Sequence, residues 1–166
     1  MTVQPDRAPP RHRLSILCRL FLTFVIIGAL TPPALLGCIL FLPWRLLRIR
    51  VGSLYGRAVG WTIFRMAGIS PQLEGNNFDR RVACLVVSNH SSTVDMWIGM
   101  WLNPKRSCGV AKREILKIPF FGFIYWLSGH LMLDRSNRET AIASMVELGT
   151  FVREHTLGIW MWPEGR

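Results

Sequence analysis

At 166 residues, half of them hydrophobic, the chain has enough apolar material for one domain and a surplus for an appended segment. Its formal charge of +10 is uneven: residues 1–57 hold eight arginines against the single acid Asp6, whereas residues 58–166 hold twelve Lys and Arg against nine acids. The basic excess flanks a greasy stretch, which points to anionic membrane lipid as the partner and away from nucleic acid.

Four cysteines, with no CxxC pair and no HExxH, support neither a disulfide framework nor a zinc site, so free and largely buried thiols are expected. Residues 1–13 read as a loose basic arm. From Leu20 to Trp44 there are 25 residues without a charge, interrupted by Thr31-Pro32-Pro33. The spacing predicts two helices, Leu14–Leu30 and Ala34–Arg48, about 25 and 22 Å long at ~1.5 Å per residue. Each falls short of a ~30 Å hydrocarbon core. Arg11, Arg13 and Arg19 precede the run, and Arg45, Arg48 and Arg50 follow it. Positive flanks stay on the cytoplasmic side, so residues 14–50 are expected to form a hairpin entering one leaflet. The domain that follows is then expected on the cytoplasmic side of its membrane, a bacterial inner membrane or its equivalent. A proline-kinked span and a cleaved signal peptide are the alternatives, and the second lacks a small-x-small cleavage site.

Val51–Gly68 reads as a helix bridging membrane and domain, the domain itself taking residues 51–166. Pro71, Gly75, Asn76, Asn77 and Asp79 mark turns. Short apolar runs then predict strands at Ala83–Ser88, Cys108–Ala111, Leu131–Leu133 and Leu157–Trp162. Helical patterns fall between them, at Thr93–Leu102, at Arg113–Leu127 with a bend near Pro119 and Gly122, and from Ser136 to about His155. Ser136 and Glu139 form a capping-box pattern for the last, with Ala141, Met145, Leu148 and Val152 facing inward. Alternation of strand and helix predicts an α/β fold with a largely parallel sheet and flanking helices.

Each predicted strand is followed at once by polar residues: Asn89-His90, Lys112, Asp134-Arg135 and Glu164-Gly165-Arg166. Parallel strands deliver such residues to one edge of the sheet, where α/β proteins bind ligands. His90 and Asp95 are too far apart around one helix to face each other. With His90 in the preceding turn and Ser92 as N-cap, however, Asp95 reaches back to the imidazole and leaves its other nitrogen free as a general base. The competing reading is structural, because Ser92-Thr93-Val94-Asp95 is itself a capping box. No GxSxG elbow supports Ser91 or Ser92 as a nucleophile. Arg135 beside a helix start suits a phosphate, or else forms an ordinary surface pair with Asp134 or Glu139. Trp97, Trp101, Phe120, Phe121, Phe123, Tyr125 and Trp126 are core residues, an acyl-chain groove or a bilayer contact. His12, His130 and His155 have no comparable neighbourhood.

In their order these motifs resemble the lysophospholipid acyltransferase family. His90 and Asp95 match its histidine, four residues, aspartate signature; Lys112–Gly122 with Leu133-Asp134-Arg135 matches its second block; Pro163-Glu164-Gly165 opens its third. Arg166 stands where the family has threonine, and a fourth block is missing, so the chain is expected to be C-terminally incomplete. The resemblance implies that His90 deprotonates the hydroxyl of a lysophospholipid, foremost 1-acylglycerol 3-phosphate, and that Asp95 orients His90. Arg135, the Glu164-Gly165-Arg166 loop and Lys112 would bind the substrate. The co-substrate is an acyl thioester of coenzyme A or acyl carrier protein, with no bound cofactor, metal or acyl-enzyme. Another lysolipid or glycerol 3-phosphate as acceptor, and an inactive membrane-bound lipid-binding fragment, are the rival readings.

Overall fold

The computed structural model describes residues 10–72, 83–89, 92–102, 107–134 and 137–162. Strands β1 (Cys84–Val87), β2 (Ser107–Lys112), β3 (Leu131–Leu133) and β4 (Gly158–Met161) form a parallel sheet in the order β1-β4-β2-β3. All four expected strands are present, with ends moved by one residue at most points. Short, apolar and rich in β-branched or sulfur-bearing side chains, they suit a sheet covered on both faces.

Alternation along the strands divides the helices between those faces. Cys108 and Val110 on β2 face a core built with Leu148 and Val152 of α5 (Arg138–Glu154) and with Leu157. Their neighbour Gly109 faces the other way, where a β-carbon would stand 2.6 Å from the Tyr125 hydroxyl of α4 (Phe121–Leu127). Trp160, in register with Gly109, turns to that same side and meets Gly99 of α3 (Thr93–Leu102). The inward stripe expected on α5 is correct: Leu148 and Val152 are buried, and Ala141 and Met145 half-buried. Its cap is Asn137, whose Oδ1 accepts from the N–H groups of Glu139 and Thr140 at 3.1 and 3.2 Å. Ser136, expected in that role, lies outside the described residues.

The N-terminal segment departs from expectation. One continuous helix, α1 (Pro10–Leu40), runs through Pro32 and Pro33, and the chain reverses at residues 41–44 before α2 (Arg45–Ala67). Two prolines cost an interior helix two hydrogen bonds, but both lie on the exposed side. The opposite side carries Thr31, Ala34 and Cys38, all buried. These small residues let α1 approach α2 closely, and a β-carbon on Gly37 would stand 3.3 Å from Val51. Thr31 also sends its hydroxyl to the Ile27 carbonyl at 2.7 Å and lies 3.2 Å from the Tyr55 hydroxyl, tying the proline turn to α2. Tertiary packing thus outweighs the local break.

Helix α2 belongs to the domain, burying Ile49, Tyr55, Val59 and Phe64. Gly60 admits the α3 backbone, since a β-carbon there would lie 2.8 Å from the Trp97 carbonyl. Gly68, at φ 71°, ends the helix in the left-handed conformation that glycine takes without strain.

Candidate active site

The parallel arrangement brings the carboxyl ends of all four strands to one edge of the sheet. Along it, β1 lies directly beside β4, and β3 lies three strand spacings, about 14 Å, from β1. Beyond β1 the chain leads to α3, whose start is set by local hydrogen bonds. Ser92 Oγ accepts from the Val94 N–H at 3.2 Å, and Asp95 Oδ2 accepts from the Ser92 N–H at 2.7 Å. This is the reciprocal capping box. It commits one carboxylate oxygen to the helix start and holds the Asp95 carboxylate on the side from which the chain arrives from β1.

Lys112 is the last residue of β2, half-exposed and in register with Leu133 of β3. The next residue, Arg113, opens a 3₁₀ turn (Arg113–Lys117) and pairs with Asp134 at 3.2 Å. Asp134, one of two surface partners weighed for Arg135, is engaged by this cation from the neighbouring strand end. Arg113, Glu114, Lys117 and Asp134, together with Leu116 and Leu133, line a shallow depression of about 390 Å³ there. His90, Arg135, Glu164, Gly165 and Arg166 lie outside the described residues.

A second cavity, of about 550 Å³, is apolar. It runs between Ile16, Leu20, Phe24 and Ile27 of α1, Val59 and Ile63 of α2, Trp97 of α3, and the Pro119–Phe121 turn. Trp97 is two residues beyond Asp95, so the cavity meets the same helix that the capping box begins. Of the aromatic cluster read from the sequence, Trp97, Phe120 and Phe121 line it; Tyr125 packs on Phe121, and Phe123 and Trp126 are exposed.

A family model described as Acyltransferase matches residues 70–166. The chain belongs to the acyltransferase family. It is 37% identical to a 1-acyl-sn-glycerol-3-phosphate acyltransferase from Limnanthes alba over 147 residues, 89% of this chain and 52% of that protein. A protein of the same name from Cocos nucifera is 39% identical over 127 residues, covering 76% of this chain and 41% of its own. One from Haemophilus influenzae is 28% identical over 152 residues, covering 90% and 60%. The chain thus spans about half the length of the curated relatives it matches. No solved structure matches it.

Around this acyltransferase-family site stand supports that the sequence did not announce. Arg48 Nη1 donates to the Leu127 carbonyl at 2.6 Å, and Arg45 Nε donates to the Gly129 carbonyl at 3.2 Å, with its guanidinium 4.3 Å from the Phe151 ring. Both arginines, read from sequence as membrane flanks, fasten α2 to the end of α4. His130, set aside as background, is buried and accepts the Gly109 N–H through Nδ1 at 3.1 Å. Burial, with a smaller push from the Arg45 charge, holds its pKa down to about 4, so it is neutral. All four cysteines are free; Cys38 and Cys108 are buried, Cys84 is half-buried and Cys18 is exposed. Burial lifts the Cys108 thiol to about 11, which makes it inert.

Proposed function

We propose that the protein moves a fatty acyl group from a thioester, acyl-CoA or acyl carrier protein, to the free hydroxyl of 1-acylglycerol 3-phosphate, giving phosphatidic acid. The observation that carries this reading is the Asp95 carboxylate, fixed at the start of the helix that follows β1, at the carboxyl edge of a parallel sheet. The names of the relatives supply the acceptor.

In this mechanism His90 takes the proton of the acceptor hydroxyl while Asp95 orients and balances the imidazolium, a general-base contribution of typically ~10²–10⁴-fold. The oxygen attacks the thioester carbonyl, the C–O bond forms, the C–S bond breaks, and the proton leaves with the thiolate. Arg135, Lys112 and the Glu164-Gly165-Arg166 segment hold the acceptor's phosphate, with Glu164 organising its loop. The apolar cavity beside Trp97 suits an acyl chain.

The N-terminal helices seat the enzyme on one leaflet, on the cytoplasmic side. Residues 15–40 of α1 are long and apolar enough to cross a bilayer. Yet α1 lies antiparallel along α2, from Arg19 beside Gly68 to Gly37 beside Val51, and α2 is buried in the domain. In that arrangement a perpendicular crossing would carry α2, and the parts of the domain packed on it, into hydrocarbon as well, which is costly. An in-plane seating avoids that cost and keeps the hairpin on one side.

Acyl transfer by a full-length version, with radiolabelled thioester and a panel of lysophospholipids, tests the reading. We expect His90→Ala to abolish transfer without loss of thermal stability; near-native transfer by that variant removes His90 as the base. Absence of transfer by the unsubstituted full-length protein, with lysolipid still bound, favours the lipid-binding reading instead.

A further inference from the structure

Helix α4, Phe-Gly-Phe-Ile-Tyr-Trp-Leu, is apolar around its whole circumference. A helix of that kind needs both faces covered. One face is: Phe121 and Ile124 are buried, with Phe121 stacked at 6.5 Å on Tyr55 and packed at 5.7 Å on Tyr125. The other face is uncovered among the described residues. Phe123 and Trp126 are 53% and 52% exposed, with ring centroids 5.6 Å apart, and Leu116 and Phe120 extend the ridge at 41% and 46%.

The backbone holds this ridge in place at a cost. Phe120 sits at φ 63°, ψ −42°, and the Phe121 N–H donates to the Pro119 carbonyl at 2.7 Å, a γ-turn with positive φ. A bulky residue in that region is strained. Gly122 locks the turn, since a β-carbon there would run into the Ile115 carbonyl. The turn sends Phe121 into the core and Phe120 outward.

Phe120 also lines the apolar cavity with Ile16, Leu20 and Phe24 of α1. The α4 ridge therefore runs on from the outer face of α1, where Leu20, Phe21, Phe24 and Val25 are exposed. Trp126 on the ridge and the exposed Lys117 next to Leu116 are residues that favour the level of lipid headgroups. We propose that the Leu116–Phe120–Phe123–Trp126 ridge is a second bilayer contact, which lays the α/β domain against the same leaflet as α1. The proposal rests on the one-leaflet seating of α1 given above.

The test attaches an environment-sensitive fluorophore to single cysteines in the full chain with Cys18 and Cys84 replaced by serine, the remaining cysteines being buried. The sites are Phe123→Cys on the ridge, Phe21→Cys on α1 and, as a control, Val146→Cys on α5, 65% exposed on the sheet's other side. On vesicles of phosphatidylcholine with phosphatidylglycerol, labels at 21 and 123 should shift to the blue and lose most of their quenching by iodide. The label at 146 should keep both its emission and its quenching. A shift at 21 with none at 123 overturns the ridge contact and leaves the seating of α1 standing. No shift at either overturns both. A shift at 123 that appears without vesicles and grows with protein concentration assigns the ridge to a second copy of the chain, and also overturns the proposal.

Discussion

Gly99 lies against Trp162 so closely that a β-carbon on it would stand 2.5 Å from the indole Cζ2, and 3.3 Å from Trp160 Nε1. Gly99 is one helical step beyond Asp95, at i+4 on the same face of α3. Trp162 immediately precedes Pro163-Glu164-Gly165. The contact therefore joins the helix that carries the aspartate to the strand that leads into the third sequence block.

We expect Gly99→Val to destabilise the chain by about 1–3 kcal/mol through overpacking, and Trp162→Leu in the same chain to restore most of the loss. Urea unfolding of the single and double variants measures this coupling. Additive losses would show that the two residues are not in close contact.

Arg48→Ala should cost about 1.5–3 kcal/mol, the usual worth of a hydrogen bond to a charged group, because the Leu127 carbonyl loses its donor. Arg50→Ala, at an exposed position two residues on, should stay within about 0.5 kcal/mol. Equal effects in chemical denaturation would return Arg48 to the role of a membrane flank.

The neutral His130 makes stability depend on pH. Its folded pKa is about 4, against the ordinary 6.5 of an unfolded histidine. Between those values the unfolded chain takes up a proton that the folded chain refuses. This contribution is therefore complete above pH 6.5 and lost as pH falls towards 4, by up to about 3 kcal/mol. His130→Asn keeps an acceptor for the Gly109 N–H and should flatten that part of the profile. Urea titrations at pH 7.5 and 4.5 compare the two, and an unchanged slope in the variant would assign the pH dependence to other groups.

Asp95→Asn separates the two roles of that side chain. The amide oxygen can still accept the Ser92 N–H, so the helix start should hold, while transfer by a full-length version falls about 10²–10⁴-fold. Asp95→Ala should lose activity and, with the cap gone, a further 0.5–2 kcal/mol or so of stability. Loss of stability in proportion to activity in the asparagine variant would leave Asp95 a helix cap alone.

The features legible in the sequence are those made by neighbours along the chain. Ser92 and Asp95 are three residues apart, so their capping box is written in the order of residues and appears in the structure as expected. The strands at 84–87, 107–112, 131–133 and 158–161 follow from short apolar runs bounded by turns, and the spacing of Leu148 and Val152 follows from the period of a helix. The order β1-β4-β2-β3, which seats the Asp95 helix beside the strand leading to residue 163, depends on pairing between segments more than seventy residues apart. No local pattern encodes it. The same is true of Pro32 and Pro33, which break a helix by local rules but remain inside one because Thr31, Ala34 and Cys38 pack on α2. Arg48 and His130 look unremarkable until Leu127 and Gly109 arrive beside them. Local sequence sets backbone preference, worth at most about 3 kcal/mol even for a proline; burial of a whole helix face outweighs it, and that burial exists only once the chain has folded.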